Sequence, residues 1–349
     1  MSAKKRCLMM GAGGMAGGWI RRFFPNFTDR MEIVGLVDIK REPLDASGDF
    51  LGLPAEQRFM DSQSAFDAVE ADFCTIVTPP DVHREAVMLA VDRGMDILSE
   101  KPIADTWEAC VDIYRAVMGA GVKMQVVQNY RYESRILALK KALDEGRVGR
   151  PNYIMSRFAA DYRKRGAWGA FRHEIPHALL VEGAVHHFDQ LRNLSGADCQ
   201  LITGWEWNPD HPSFDGECCA LFSMRMANDV KAVYEGSCLA AGGQNTWHRE
   251  HYRVECENGV LTVDKDDIVR VLEHTGGGAV RMEELQPVEP EWAGHNQIIK
   301  DFLDWLDGGP EPATALSDNI KSAAMLFGAV DASETGRCVD VAAKAAIES

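Results

Sequence analysis

The first 128 residues predict an α/β domain with a doubly wound parallel sheet, and the remainder predicts an α+β domain rich in strands. Three observations carry this. Short apolar runs alternate with helical stretches up to residue 128; a glycine-rich turn sits at the first strand-to-helix junction; and period-two alternation takes over from residue 201.

The parallel strands are expected at 6–10, 32–37, 72–78, 95–99 and 123–127, each a short apolar run of the kind buried on both sheet faces. Helical stretches fall between them near 15–24, 82–93 and 106–120. After Arg131 the pattern changes, so the chain divides into 1–128 and 129–349. A helix is expected at 133–145, ended by Gly146 and by Gly149-Arg150-Pro151, then a strand at 152–161 and a basic, tryptophan-containing loop at 162–175. Pro176 suits the first turn of a helix running to about 194 and stopping at Ser195-Gly196. From 201 to about 285 successive strands follow. Val230-Lys231-Ala232-Val233-Tyr234-Glu235 alternates with period two, and Asn258-Gly259 signals a hairpin between 252–257 and 260–264. Helices near 296–306 and 318–335 close the chain.

Bulk composition bounds the function. Lys and Arg total 37 against 53 Asp and Glu, a formal charge of −16, which argues against nucleic acid or an anionic membrane as the main partner. Nine cysteines without a C-x-x-C spacing read as reduced, buried thiols of a cytoplasmic protein. The start, Lys4-Lys5-Arg6 then Cys7-Leu8-Met9-Met10, imitates a signal peptide, but the apolar part breaks into glycines after four residues, so a first strand explains it better.

The chemistry lies in three places. Gly11, Gly13 and Ala16 fit G-x-G-x-x-G/A between a strand and a helix, where glycine permits the tight turn and lets backbone approach a pyrophosphate at the helix N-terminus. Gly14 and Met15 complete that turn. Asp38 ends the second strand about 20 residues on and can accept hydrogen bonds from both ribose hydroxyls, which favours NAD; Ile39 follows it. Lys40 and Arg41 can neutralise a 2′-phosphate, which keeps NADP open, or simply form a solvated loop. Thr78-Pro79-Pro80, with His83 three residues on, shapes the next turn at the carboxyl edge of the sheet, where ligands bind in this topology; a lone histidine there is more often packed or capping than ligating. Gln128 ends the last parallel strand at the same edge.

Glu100-Lys101-Pro102 closes the 95–99 strand at that edge. A lysine there can hydrogen-bond a substrate hydroxyl and stabilise a developing alkoxide, while Glu100 can pair with it or meet the nicotinamide ribose. Glu182 and His186 are four apart on the helix after 176 and so share a face, which Asp189 extends. The alternative is an amphipathic helix with a wet polar side. His173, His177, His186 and His187 supply no set of three or four ligands with metal-site spacing, so no metal is expected. Tyr130, Tyr162, Arg163 and Trp168 are candidate pocket residues, since an aromatic face suits sugar C–H groups.

On these residues the chain resembles the Gfo/Idh/MocA oxidoreductase family, over nearly its whole length. The likeness rests on GAGGMA at 11–16, TPPDVHREAV at 78–87, EKP at 100–102, QNYRY at 128–132, EGAVHHFD at 182–189 and the closing HNQIIKDFLDWL. It implies a Rossmann domain followed by an α+β domain on a large, mostly antiparallel open sheet whose free face forms a homodimer or homotetramer contact. It also implies an NAD(P)-dependent dehydrogenase of a sugar, inositol or related polyol, with Lys101 as motif lysine, Glu182 as helix carboxylate and His186 as acid/base. Many members carry Asp where this chain has Glu182. The resemblance also admits NAD-using glycosidases and catalytically silent dinucleotide-binding sensors.

Overall fold

The computed structural model describes residues 3–209 and 213–347. They form two compact units, one of the chain up to Gln128 with His295–Ile320, the other of Asn129–Gly294 with the residues from Lys321 on.

In the first unit, β1 (Lys5–Met10), α1 (Gly14–Gly18), β2 (Met31–Val37), α2 (Arg41–Leu51), β3 (Arg58–Phe59), α3 (Ser62–Ala68), β4 (Phe73–Ile76), α4 (His83–Asp92), β5 (Asp96–Ser99), α5 (Trp107–Ala120) and β6 (Met124–Val126) alternate. Every strand pairing is parallel and the order is β3-β2-β1-β4-β5-β6, the doubly wound arrangement. The central strands are apolar on both faces: Leu8, Cys74, Ile76 and Ile97 are fully buried. The sequence order reverses between β1 and β4, and the turns after them leave the carboxyl ends of those strands.

Two elements here escape sequence pattern. α2 carries Pro43 and Gly48, and α3 is a short run whose N-cap Asp61 accepts from the Ser64 amide. The expected first helix at 15–24 is instead α1, a π-turn over Trp19–Phe23 and a 3₁₀ turn over Phe24–Phe27.

The second unit holds α6 (Ser134–Asp144), β7 (Pro151–Ala159), α7 (Val185–Ser195), β8 (Cys199–Trp207), β9 (Cys219–Met226), β10 (Lys231–Ser237), β11 (His251–Cys256), β12 (Gly259–Val263), β13 (Val269–Gly276) and β14 (Ala279–Leu285). The chain closes with α8 (Gly294–Leu306), α9 (Leu316–Thr335), β15 (Val339–Asp340) and α10 (Val341–Ala345). The nine-stranded sheet runs β14-β13-β12-β11-β7-β10-β9-β8-β15. It is antiparallel except where β10 pairs with β7, Ala232 opposite Ile154 and Tyr234 opposite Ser156. One face is buried by alternation, as in β10 where Ala232, Tyr234 and Gly236 are inside. The other face shows Trp205, Trp207 and Leu221 to solvent. The β11–β12 hairpin turns through Glu257-Asn258, one residue earlier than the Asn258-Gly259 signal, because Cys256 pairs with Gly259 and the Asn258 amide is taken by the Val148 carbonyl.

Eight of the nine cysteines are free and buried, and Cys338 is free and exposed. Among the described residues, no helix is long and apolar enough to cross a membrane.

Candidate active site and its two sets of residues

The glycine turn follows β1. Gly11 has φ +101°, and a Cβ there would lie 2.3 Å from the Val77 carbonyl oxygen, so only glycine lets the turn pass the end of β4 this closely. At Gly14, φ +49°, the space beyond is open, and α1 begins with no side-chain cap on its amides. Asp38 supports the turn: its Oδ2 accepts from the amides of Ala12 (2.9 Å) and Gly13 (3.3 Å), and its Oδ1 from Lys40 (2.8 Å). Met15, Ile39, Lys40 and Arg41 are exposed around it. An uncapped helix start, an open glycine edge and an acid at the end of β2 fit a dinucleotide.

His83 and Glu100 both lie in the interior beside the carboxyl ends of β4 and β5. His83 is fully buried, with Nδ1 3.1 Å from the Pro102 carbonyl oxygen and Nε2 3.0 Å from that of Thr78. Burial pushes its pKa down against these carbonyls. A neutral ring has one N–H, so it donates to one of these two carbonyls and packs against the other, between the Thr78-Pro79-Pro80 turn and the segment after Lys101. Glu100 is buried too. It accepts from the Trp19 indole (2.9 Å) and from the Lys101 amide (3.3 Å), and stands 3.5 Å from His295 Nε2. Burial alone would raise this carboxyl; His295, Lys101 and Trp19 outweigh it and hold the pKa below the usual range. Glu100 is thus held in the interior, and Lys101, half-buried, is joined to Pro102 by a cis peptide. Gln128 is buried at the end of β6.

The second unit holds a group of candidate residues of its own. The helix that ends as α7 opens with a π-turn, Leu180–Ala184, which contains Glu182. It starts beyond Pro176, since Pro176 and His177 lie in a turn and His177 has φ +50°. Glu182 and His186 are therefore related across a widened turn rather than by four regular α positions. Gly183 is the reason for a close approach here: a Cβ would lie 2.8 Å from the Trp247 ring.

Glu182 is buried and accepts from Arg172 Nε at 2.7 Å. The Arg172 guanidinium lies 5.4 Å over Trp168 and donates to its carbonyl. His186 stacks face to face on Tyr130, centroids 4.1 Å apart and planes 2° apart. Tyr130 is buried between His186 and His248, so it is a shelf for the imidazole rather than an open pocket wall. Tyr162, Trp168 and Trp247 form a continuous aromatic stack, with centroid spacings of 5.6 and 5.1 Å, that reaches His187. Arg163 is exposed and bonded to Asp161 instead of reaching this stack. Asp189 does not extend a wet stripe; it is buried between Arg131 (2.7 Å) and Ser322 (2.7 Å).

Under Tyr130 lies a charged floor that the sequence did not reveal. Arg135 bonds Glu250 at 2.5 Å and Glu133 at 3.2 Å; Glu250 Oε1 is 3.5 Å from His187, whose other nitrogen meets the Tyr234 hydroxyl at 3.0 Å. His248 is bonded to Glu133. Arg172 and Trp247 also went unread. Arg172 lies within the basic loop that drew attention to Arg163, and a charge ten residues before Glu182 was the available signal.

The profile of an oxidoreductase family with an NAD-binding Rossmann fold matches residues 5–128, and that of the GFO/IDH/MocA C-terminal domain matches residues 136–262. The chain is 40% identical over 345 residues to the protein y4oX of Sinorhizobium fredii, covering 96% of this chain and 95% of that one. It is 25% identical over 324 residues to a D-apiose dehydrogenase of Paraburkholderia graminis, covering 90% and 84%. It is 27% identical over 331 residues to an inositol 2-dehydrogenase of Streptomyces avermitilis, covering 94% and 92%. In fold it is similar to an Agrobacterium radiobacter oxidoreductase solved with NAD+, L-tartaric acid and magnesium, at TM-score 0.84 and 21% identity, covering 98% and 99%.

Proposed function

Since the chain belongs to the Gfo/Idh/MocA oxidoreductase family, an NAD-binding family of dehydrogenases, we propose that it oxidises a secondary alcohol of a sugar, inositol or related polyol. The single observation that carries the site is His186, held flat on Tyr130 at 4.1 Å four residues from the buried carboxylate of Glu182. Stacking fixes the plane of the imidazole, and a fixed plane sets the direction along which its ring nitrogens exchange a proton.

In this reading the Gly11–Ala16 turn, Asp38 and the Thr78-Pro79-Pro80 turn hold the dinucleotide, which supplies the hydride acceptor when bound. His186 accepts the hydroxyl proton of the substrate. The Lys101 ammonium stabilises negative charge growing on that oxygen. Glu182, paired with Arg172, sets the field around His186. Tyr162, at the end of the aromatic stack that Trp168 continues, offers an aromatic face to the C–H side of a sugar ring. The open sheet face bearing Trp205, Trp207 and Leu221 is proposed to be covered by a second copy of the chain.

A panel of sugars, inositols and sugar acids, followed by NADH absorbance, tests the reaction. Stoichiometric NADH on one substrate class supports it. Product formed with no net NADH on any substrate would point instead to transient oxidation, as in NAD-using glycosidases.

A further inference from the structure

Strand β8 reads Thr203-Gly204-Trp205-Glu206-Trp207 with its polarity inverted. The two tryptophans face solvent and the glutamate faces inward. The Glu206 side chain is 1% exposed, and its Oε2 has no hydrogen-bond partner among the described residues. A bare buried carboxylate oxygen has given up its hydration with no partner in exchange, and a charged group loses more this way than a neutral one. Something is expected to meet it.

The surroundings say what. His177 Nδ1 lies 2.9 Å from Glu206 Oε1 and 3.6 Å from Glu217 Oε2. The candidate ligand atoms of these three residues all fall within 4.8 Å of one another. Two atoms each about 2.1 Å from one ion stand about 3.0–3.4 Å apart, so these spacings bracket a shared ion. Glu334 Oε1 is 3.6 Å from the other His177 nitrogen, the carboxylate–imidazole relay that orients metal-bound histidines. His177 occupies the left-handed region at φ +50°, which directs its ring toward the group while the Glu217 side chain accepts from its amide.

Hydrogen bonding within the cluster does not account for this by itself. A protonated His177 meets Glu206 Oε1 and leaves Oε2 bare, with three carboxylates around one cation. A divalent ion takes both needs at once. One imidazole nitrogen beside carboxylate oxygens suits zinc or manganese better than calcium or magnesium, which prefer all-oxygen sites.

We propose that His177, Glu206 and Glu217, oriented by Glu334, bind one divalent transition-metal ion that fastens the start of the Glu182–His186 helix to strand β8. The contributing residues come from a turn, a strand, a loop and helix α9, which is why spacing among histidines alone did not reveal the group.

The test uses the tag-free full chain after chelator treatment. Titration with zinc chloride and with manganese chloride is followed by calorimetry and by metal analysis of the desalted protein. The expected result is one ion per chain with a rise in Tm of several degrees. Glu206→Gln should weaken binding by about 100-fold and abolish the Tm rise. His177→Asn should do the same, since asparagine tolerates the left-handed backbone and keeps the proposal testable if Glu206→Gln fails to fold. No saturable uptake of either ion, or uptake unchanged in both variants, would overturn the site and leave a His177–Glu206 ion pair in its place.

Discussion

Replacing Arg135 with methionine should unfold this protein more readily than almost any other single change in the second unit. Its side chain is 4% exposed, and it gives Glu250 two bonds, at 2.5 Å to the carboxylate and 2.9 Å to the carbonyl. Glu250 is fully buried, so Arg135→Met strands a carboxylate left with the His248 amide at 3.0 Å and His187 at 3.5 Å. Breaking such a pair from one side costs about 3–5 kcal/mol. At about 2–4 °C per kcal/mol for a unit of this size, Tm should fall by about 6–20 °C. The double variant Arg135→Met/Glu250→Gln removes the stranded charge and should recover most of the loss. The pH dependence has a definite sign. Burial opposes ionisation of Glu250, but His187 and Arg135 outweigh it and hold the carboxyl below its usual range. A depressed folded value contributes stability above the unfolded value of about 4.3, and that stability is lost as pH falls through the lower folded value. In Arg135→Met the acid-side loss should move to higher pH. Thermal melts give the Tm shift, and urea melts at several pH values give the stability differences and their acid dependence. Arg135→Met within about 1 kcal/mol of the parent, or strictly additive single changes, would refute the reasoning.

The remaining expectations concern the site and its support. His186→Ala should lower turnover by about two to four orders of magnitude with NADH still bound, and Lys101→Ala by a comparable amount, the double variant being far from additive; near-normal turnover of His186→Ala would remove the histidine from the chemistry. Gly11→Ala places a Cβ 2.3 Å from the Val77 carbonyl oxygen and should weaken NADH binding at least tenfold by fluorescence titration, while unchanged affinity would show that the turn yields. Light scattering should give the parent a multiple of 38.6 kDa, and Trp205→Glu a lower one; a parent of single-chain mass at micromolar concentration refutes cover of the sheet face by a second copy.

Much of this architecture was readable because the elements that form it repeat a local pattern. β1, β4 and β5 each carry a short buried run, Cys7–Met10, Phe73–Ile76 and Ile97–Ser99, and the glycine turn carries its geometry in residue type. α2 was not readable, since Pro43 at its third position and Gly48 inside it look like loop. Nor was the parallel contact of β7 with β10, because alternation fixes which face is inward and not which strand is the neighbour. At the site, Lys101, Glu182 and His186 were visible as types in a motif. Their supports were not: Glu250 meets Arg135 across 115 residues, and no spacing rule reaches that far. The surroundings of His83 and Glu100 were unreadable for a related reason, since their burial by Trp19, His295 and the 102–103 backbone comes from tertiary packing.

One imidazole, that of His83, touches both the turn after β4 and the segment after β5. Two loops therefore share one packing contact, held to one of them by the single N–H of the ring and to the other by close packing. A ligand arriving at this edge meets a surface already in register, so little chain freedom is surrendered on association, and more of the contact energy remains as affinity. The same contact gives mutations in either loop a common fate. A change that loosens Thr78 should be felt at Lys101, although the two residues are 23 positions apart and lie beyond different strands.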